Sequence, residues 1–393
     1  MLDAEEQTLG VYVHIPFCER VCPYCDFAVV GGAVSPELER RYVEAILVEL
    51  GRRAEDFPER CLRSVYLGGG TPALLASDSV ARIVAAVRQC CDGVSAAVEV
   101  TLEANPSTLE CARLSGFREA GVNRLSLGIQ SFDDDVLRRL GRAHRAAEAV
   151  YAAQAAREAG FENLSLDLMF AAPGQSLAQV TADLDTAVDF APEHVSSYEL
   201  VVEPETPFAL ADSRGQLARA TPDEAADMTL QVEARLERAG LRRYELSNYA
   251  KPGRESVHNR RYWERQPVLG VGLGAWSSDP PREAEPHGSR RRNTRTLADY
   301  LSRIEAGAPA ADAVEVHDAA TARGEAIFLG LRGTTGLSAD RFRSWFDAVP
   351  RDFFAEAIER LSADGLLEES PAGDLRLTAR GRLLSDLVSQ NFV

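Results

Sequence analysis

The sequence predicts an α/β protein of parallel strands joined by helices, followed by a smaller helical domain. Three observations carry that prediction. Six short apolar or alternating runs recur along the first half of the chain, helical stretches with apolar residues every three or four positions separate them, and the pattern changes after about residue 319 to helices ending in a hairpin. Strand then helix, repeated six times, argues for right-handed crossovers between parallel strands. Periodicity alone does not separate an open doubly wound sheet from a barrel or partial barrel.

Strands are expected at residues 11–17, 64–70, 97–105, 124–130, 163–170 and 194–202, with helices at 36–57, 77–92, 108–121, 145–160 and 176–190. Ser77 and Thr108 are placed to cap helix N-termini, and Gly121 and Gly160 stand where a left-handed C-terminal residue is wanted. A helix near 222–240 leads to a candidate seventh strand at 241–249. Residues 279–295, rich in Pro, Gly, Arg and Ser, read as an exposed connection. Its Arg290, Arg291 and Arg292 are either solvated or a contact for anionic carboxylates. The closing helices and a hairpin at 361–369 and 374–378 look like a winged helix. The expected divisions are 1–250, a connecting segment 251–310, and 311–393.

Composition excludes several classes. Hydrophobic residues make up 45% and charged residues 26%, ordinary values for a folded chain, and nothing approaches the ~18 consecutive apolar residues of a spanning helix. A net charge of −17 would repel a phosphate backbone, and the C-terminal segment is itself acidic, so nucleic acid is not an expected partner. Seven cysteines without an apolar leader in MLDAEEQTLG point to reduced thiols and a cytoplasmic protein.

Those cysteines fall into two groups. Cys18, Cys22 and Cys25 are spaced C-x3-C-x2-C directly after the first strand, whereas Cys61, Cys90, Cys91 and Cys111 are scattered and read as buried thiols. Zinc usually wants a fourth Cys or His close by, and Asp26-Phe27-Ala28 supplies neither. A [4Fe–4S] cubane held by three thiolates would instead leave one iron open. A zinc loop or three packed cysteines are the alternatives. Polar or glycine-rich residues also gather at successive strand ends: Gly68-Gly69-Gly70-Thr71-Pro72, Glu103-Ala104-Asn105-Pro106, Ser126 to Phe132, and Asp167 before Pro173-Gly174-Gln175. Missing side chains in the triple glycine would let backbone N–H groups approach a ligand.

The cysteine spacing resembles the signature of the radical S-adenosylmethionine superfamily. That resemblance implies a partial (β/α)6 TIM-like barrel, with ligands at the C-terminal ends of the strands. YVHIPFC, YLGGGTP, EANP, RLSLGIQSF and DLMFAAPGQ narrow it to the coproporphyrinogen oxidase-like branch. The branch implies that Cys18, Cys22 and Cys25 hold the cluster and that Tyr12 lies against S-adenosylmethionine beneath it. Tyr24 would contact adenine, and Gly69, Gly70 and Thr71 the amino-acid end. Glu103 would bind the ribose, Arg142 would pair with the carboxylate, and Gln130 and Asp167 would complete the pocket. Tyr198, Glu199 and residues 270–275 are expected as pocket wall.

Two groups share that branch, the oxygen-independent coproporphyrinogen III oxidases and the HemW-type heme chaperones. The oxidases typically follow the triplet with Gly-Cys and carry a longer N-terminal extension; here Asp26-Phe27 follow, and seventeen residues precede Cys18. His258-Asn259-Arg260-Arg261-Tyr262-Trp263 matches the chaperones' HNxxYW motif. The resemblance therefore implies heme and client hemoproteins as partners, contact with a membrane surface, His258 as a candidate heme ligand, and Arg290 to Arg292 as candidates for pairing with heme propionates. Coproporphyrinogen dehydrogenase activity is not expected, because the fourth cysteine is absent.

Overall fold

Strands covered by helices must be apolar on that side, and the first strand, β1 (Thr8–Ile15), has Val11, Val13 and Ile15 wholly buried. The computed structural model describes residues 7–392. The side chains of Thr108 and Leu109 fall outside the description, and with them the expected Thr108 cap. After β1 come β2 (Cys61–Gly69), β3 (Gly93–Ala104), β4 (Arg124–Gln130), β5 (Leu164–Phe170) and β6 (His194–Glu199), each parallel to the one before. The alternation on β2 shows how the two faces divide. Val65 and Leu67 are fully buried in the apolar core, while Ser64 and Tyr66 carry polar atoms to the opposite face.

Helices α1 (Pro36–Ala54), α2 (Ser77–Gln89), α3 (Leu114–Glu119), α4 (Ala146–Glu158) and α5 (Leu177–Asp189) lie in the crossovers, and α6 (Pro222–Arg238) leads from β6 to the edge of the sheet. Ser35, Ser176 and Thr221 cap α1, α5 and α6 through their side chains. Ser77 does not cap α2: the cap position is Ala76, whose N–H donates at 2.9 Å to Glu39 Oε1 of α1, so a neighbouring helix supplies the acceptor. Gly121 and Gly160 have φ of 96° and 84°, as expected at helix ends.

At one edge the candidate seventh strand divides into β7 (Arg242–Arg243) and β8 (Asn248–Ala250), and β8 runs antiparallel to β6 instead of extending the parallel series. At the other, β9 (Val268–Val271) is parallel to β1 and is followed by antiparallel β10 (Trp276–Asp279), β11 (Ser289–Asn293) and β12 (Ala311–Val316). Among the described residues these twelve strands form one sheet whose two edges do not pair. The fold is α/β, as expected, without a closed ring among those residues.

Residues 289–293, expected as exposed connection, are strand. Each arginine there meets a carboxylate: Arg290 to Glu325 at 2.6 Å, Arg291 to Asp279, and Arg292 to Asp312 at 3.2 Å. Paired guanidiniums let a basic tripeptide lie in a sheet, and they are already committed to protein carboxylates. After β12, α7 (Ala319–Gly330), α8 (Ala339–Phe346) and α9 (Arg351–Ala363) precede a hairpin of Leu367–Glu369 and Leu375–Leu377. They enclose a second apolar cluster that includes Phe342, Ile358, Leu361 and Val388. Leu361 belongs to α9, so the hairpin begins later than the sequence pattern suggests.

Candidate functional site

The C-terminal ends of the parallel strands surround one cavity of about 690 Å³. Cys18, Cys22, Tyr24, Cys25, Gly69, Gly70, Thr71, Glu103, Gln130, Arg142 and Asp167 all line it, so every expected site residue except Tyr12 and His258 converges there. Tyr198 and Glu199 also line it; residues 270–275 do not, since Glu49 and Tyr42 of α1 hold the Gly272 and Leu273 N–H groups at 2.8 and 2.9 Å.

The cysteine loop is seated by the glycines. A Cβ on Gly70 would lie 2.7 Å from the Phe17 carbonyl oxygen, and one on Gly69, where φ is 109°, would lie 2.5 Å from the His14 ring. Close approach lets Gly70 N–H donate to Ile15 O at 2.8 Å and Thr71 N–H to Phe17 O at 2.7 Å. Gly69 N–H donates to Glu103 Oε2 at 3.1 Å. These three amides are thus occupied, and the expectation of free backbone donors gives way to one in which the glycines place the loop.

The three thiols are partly exposed and unpaired. Burial pushes Cys18 up to about 11, while the Thr71 hydroxyl 3.8 Å away pulls it down; burial also raises Cys25. Arg142 Nη1 donates to Cys22 Sγ at 3.5 Å, and Nη2 donates to Gly128 O at 2.9 Å and to Asn105 Oδ1. Its buried Nε has no hydrogen-bond partner, a donor that an anionic ligand would satisfy. Among the described residues no three His, Cys, Asp or Glu side chains converge on a single-ion position. Three thiols about one cavity mouth, a cation against one of them and no fourth cysteine in the lining fit a [4Fe–4S] cluster with one open iron.

Deeper in, Glu103 accepts from Tyr66 OH at 2.7 Å as well as from Gly69. Burial raises its pKa to about 7; the Tyr66 hydrogen bond lowers it and the Asp167 charge raises it further. Asp167 accepts from Ser126 Oγ at 2.8 Å and from Ser165 Oγ at 3.1 Å. Gln130 has a left-handed backbone, φ 66°, at the end of β4. Sequence reasoning missed Tyr66 and Glu110 as cavity residues, and it named Asn105 at a strand end without a role. Tyr66 was legible as an inward position between Ser64 and Gly68; the roles of Asn105 and Glu110 depend on contacts between strand ends.

Two expected residues, Tyr12 and His258, stand outside the cavity lining. Tyr12 lies behind the cavity wall, with its ring stacked 6.1 Å from Tyr66 and its hydroxyl 3.0 Å from His14 Nδ1. His258 is 1% exposed, with Nδ1 3.0 Å from Ser64 Oγ and Nε2 3.0 Å from Tyr262 OH. Glu99 accepts from the backbone N–H groups of Val257 and His258, fixing the turn. Both imidazole nitrogens are thus engaged by protein hydroxyls. The four scattered cysteines are partly rather than fully buried; Cys90, Cys91 and Cys111 pack against the core, and none lines the cavity.

The fold and the site define a member of the radical S-adenosylmethionine superfamily, whose family model matches residues 12–187; the model of the HemN C-terminal domain matches residues 318–384. Within that superfamily the chain belongs to the HemW heme chaperone family. It is 36% identical over 385 residues to the heme chaperone HemW of Bacillus subtilis, covering 98% of this chain and 99% of that one. It is also 32% identical over 386 residues to that of Lactococcus lactis, covering 98% and 97%. Among solved structures, coproporphyrinogen III oxidase (HemN) from Escherichia coli, described as a radical SAM enzyme, superposes with a TM-score of 0.82 at 22% identity over 99% of this chain and 90% of that one. That likeness is one of fold. No helix among the described residues is long and apolar enough to cross a membrane.

Proposed function

We propose that the protein holds a [4Fe–4S] cluster through Cys18, Cys22 and Cys25, binds S-adenosylmethionine in the adjoining cavity, and carries heme to client hemoproteins in the cytoplasm, docking transiently at a membrane surface. Tyr24, Gln130, Glu103 and Asp167 would take the adenosyl part, and Arg142 with the Gly69 to Thr71 turn the amino-acid end. When bound, the cluster would supply an open iron and an electron.

The charge of the cavity wall supports a chaperone over a porphyrinogen decarboxylase. Eight Asp and Glu side chains line it against Arg20 and Arg142. Burial raises Glu103 and Glu110 to about 7 and also raises Asp167 and Glu199. The remaining four carboxylates still outnumber the two arginines, a balance that favours a sulfonium cation over a polycarboxylate such as coproporphyrinogen. Phe27, 67% exposed at the cavity lip, stands where the oxidases carry a cysteine. Heme would accordingly sit outside the acidic cavity. The test is titration of the anaerobically reconstituted protein with hemin, followed by transfer to an apo-hemoprotein. One heme per chain, released to the acceptor, is expected; no saturable binding would overturn the reading.

A further inference from the structure

We propose that Asn105 is a positioning residue that orders the Thr71 proton toward Cys18 and so couples one cation, Arg142, to two of the three cluster cysteines. The inference rests on the cluster assignment of the Cys18, Cys22 and Cys25 triplet.

The direction of every hydrogen bond in this chain follows from chemistry. A guanidinium only donates, so the Asn105 oxygen faces Arg142 Nη2 and its NH2 group faces the other way. That NH2 lies 2.7 Å from Thr71 Oγ1, which must therefore accept. Having accepted, the Thr71 hydroxyl has its own proton free for Cys18 Sγ, 3.8 Å away. The other arm of the same guanidinium, Nη1, donates to Cys22 Sγ. Cys18 and Cys22 are both acceptors in one network centred on Arg142.

The surroundings hold Asn105 in place. Pro106 restricts it to extended backbone. Glu110 Oε2 accepts its backbone N–H at 2.6 Å. Gly128 leaves room where a Cβ would stand 3.0 Å from Asn105 Oδ1. Hydrogen bonds donated to cluster sulfurs stabilise the reduced state, so this chain raises the cluster potential.

Asn105→Asp is nearly isosteric and reverses the chain. A carboxylate accepts from Arg142 and from the Thr71 hydroxyl, turning that proton away from Cys18. Its charge alone would also lower the potential, so the test is a cycle with Thr71→Val, read by redox titration of the reconstituted cluster. Each single variant should shift the midpoint negative, the double variant by less than the sum, and Thr71→Ser should stay near wild type. Additive shifts, or an unshifted Thr71→Val, would overturn the proposal. If Asn105→Asp fails to retain iron, Asn105→Ala takes its place in the cycle, with a negative shift that should again be less than additive with Thr71→Val; additivity would overturn the proposal. Wild-type protein that holds no cluster would instead defeat the assignment on which the proposal rests.

Discussion

The amide of Thr71 donates to the Phe17 carbonyl at 2.7 Å, one residue before the first cysteine of the triplet. With Gly70 N–H on Ile15 O at 2.8 Å, it fastens the end of β2 to the start of the cysteine loop. The position of Cys18 over the cavity is therefore set by backbone contact that only a glycine at position 70 permits.

Gly70→Ala should break this seating. The new methyl meets backbone atoms of Pro16 and Phe17 at 2.7 to 2.8 Å, and backbone cannot swing aside as a side chain would. We expect a loss of about 1–3 kcal/mol in urea unfolding, together with reduced iron retention after reconstitution. Unchanged stability and iron content would show that the loop is not held this way.

Cys22→Ser should remove the cluster while leaving the fold intact, since the thiol is partly exposed and its hydrogen bond comes from Arg142. Iron and sulfide should fall from about four each per chain to near zero, with the visible chromophore lost. Stoichiometric zinc in the wild-type protein, without colour, would contradict the assignment.

Glu103 gives a pH signature. Burial raises its pKa from 4.5 to about 7, so its favourable contribution to folding is present below the unfolded value and is lost as pH rises through 7. The cluster-free Glu103→Gln variant should therefore be less pH-dependent between pH 5 and 8, and more stable than wild type at pH 8 by about 1–3 kcal/mol. The same variant should bind S-adenosylmethionine at least about tenfold more weakly, having lost a charged acceptor. A variant less stable at pH 8, or one with undiminished binding, would contradict this account of the site.

His258 makes a contrasting prediction. Burial first, then Arg261 and Arg124, lower its pKa to about 3. The neutral ring's contribution is present above the ordinary value of 6.5 and is lost as pH falls toward 3. His258→Ala leaves Ser64 and Tyr262 without their partner and should cost about 2–3 kcal/mol in urea unfolding at pH 7.5. Heme bound per folded chain should be unchanged, with the same Soret maximum. A shifted Soret band at full stability would restore His258 as an iron ligand.

Much of the architecture was legible in the sequence because its signals are local. Apolar runs marked β1 to β6, and Gly121 and Gly160 marked helix ends that need a left-handed residue. Where partners come from elsewhere in the chain, local reading failed. Ser77 yields the cap position to Ala76 because Glu39 of α1 supplies the acceptor. Arg290 to Arg292 form a strand because Glu325, Asp279 and Asp312 neutralise them. The candidate site divides in the same way. Residues at the ends of parallel strands converge as topology requires, whereas the HNxxYW histidine is withdrawn by Ser64 and Tyr262, which lie 194 residues before it and one helical turn after it. Asn105 is legible as a strand-end residue, but its role is not, because that role lies in joining Arg142 to Thr71 across two strand ends.

The acidic cavity gives the central claim its most direct test. The reconstituted protein, incubated anaerobically with coproporphyrinogen III, reductant and S-adenosylmethionine, should yield no protoporphyrinogen by chromatography, while hemin added to the same preparation binds one per chain. Formation of the vinyl product would contradict the chaperone reading and place a decarboxylase in this cavity.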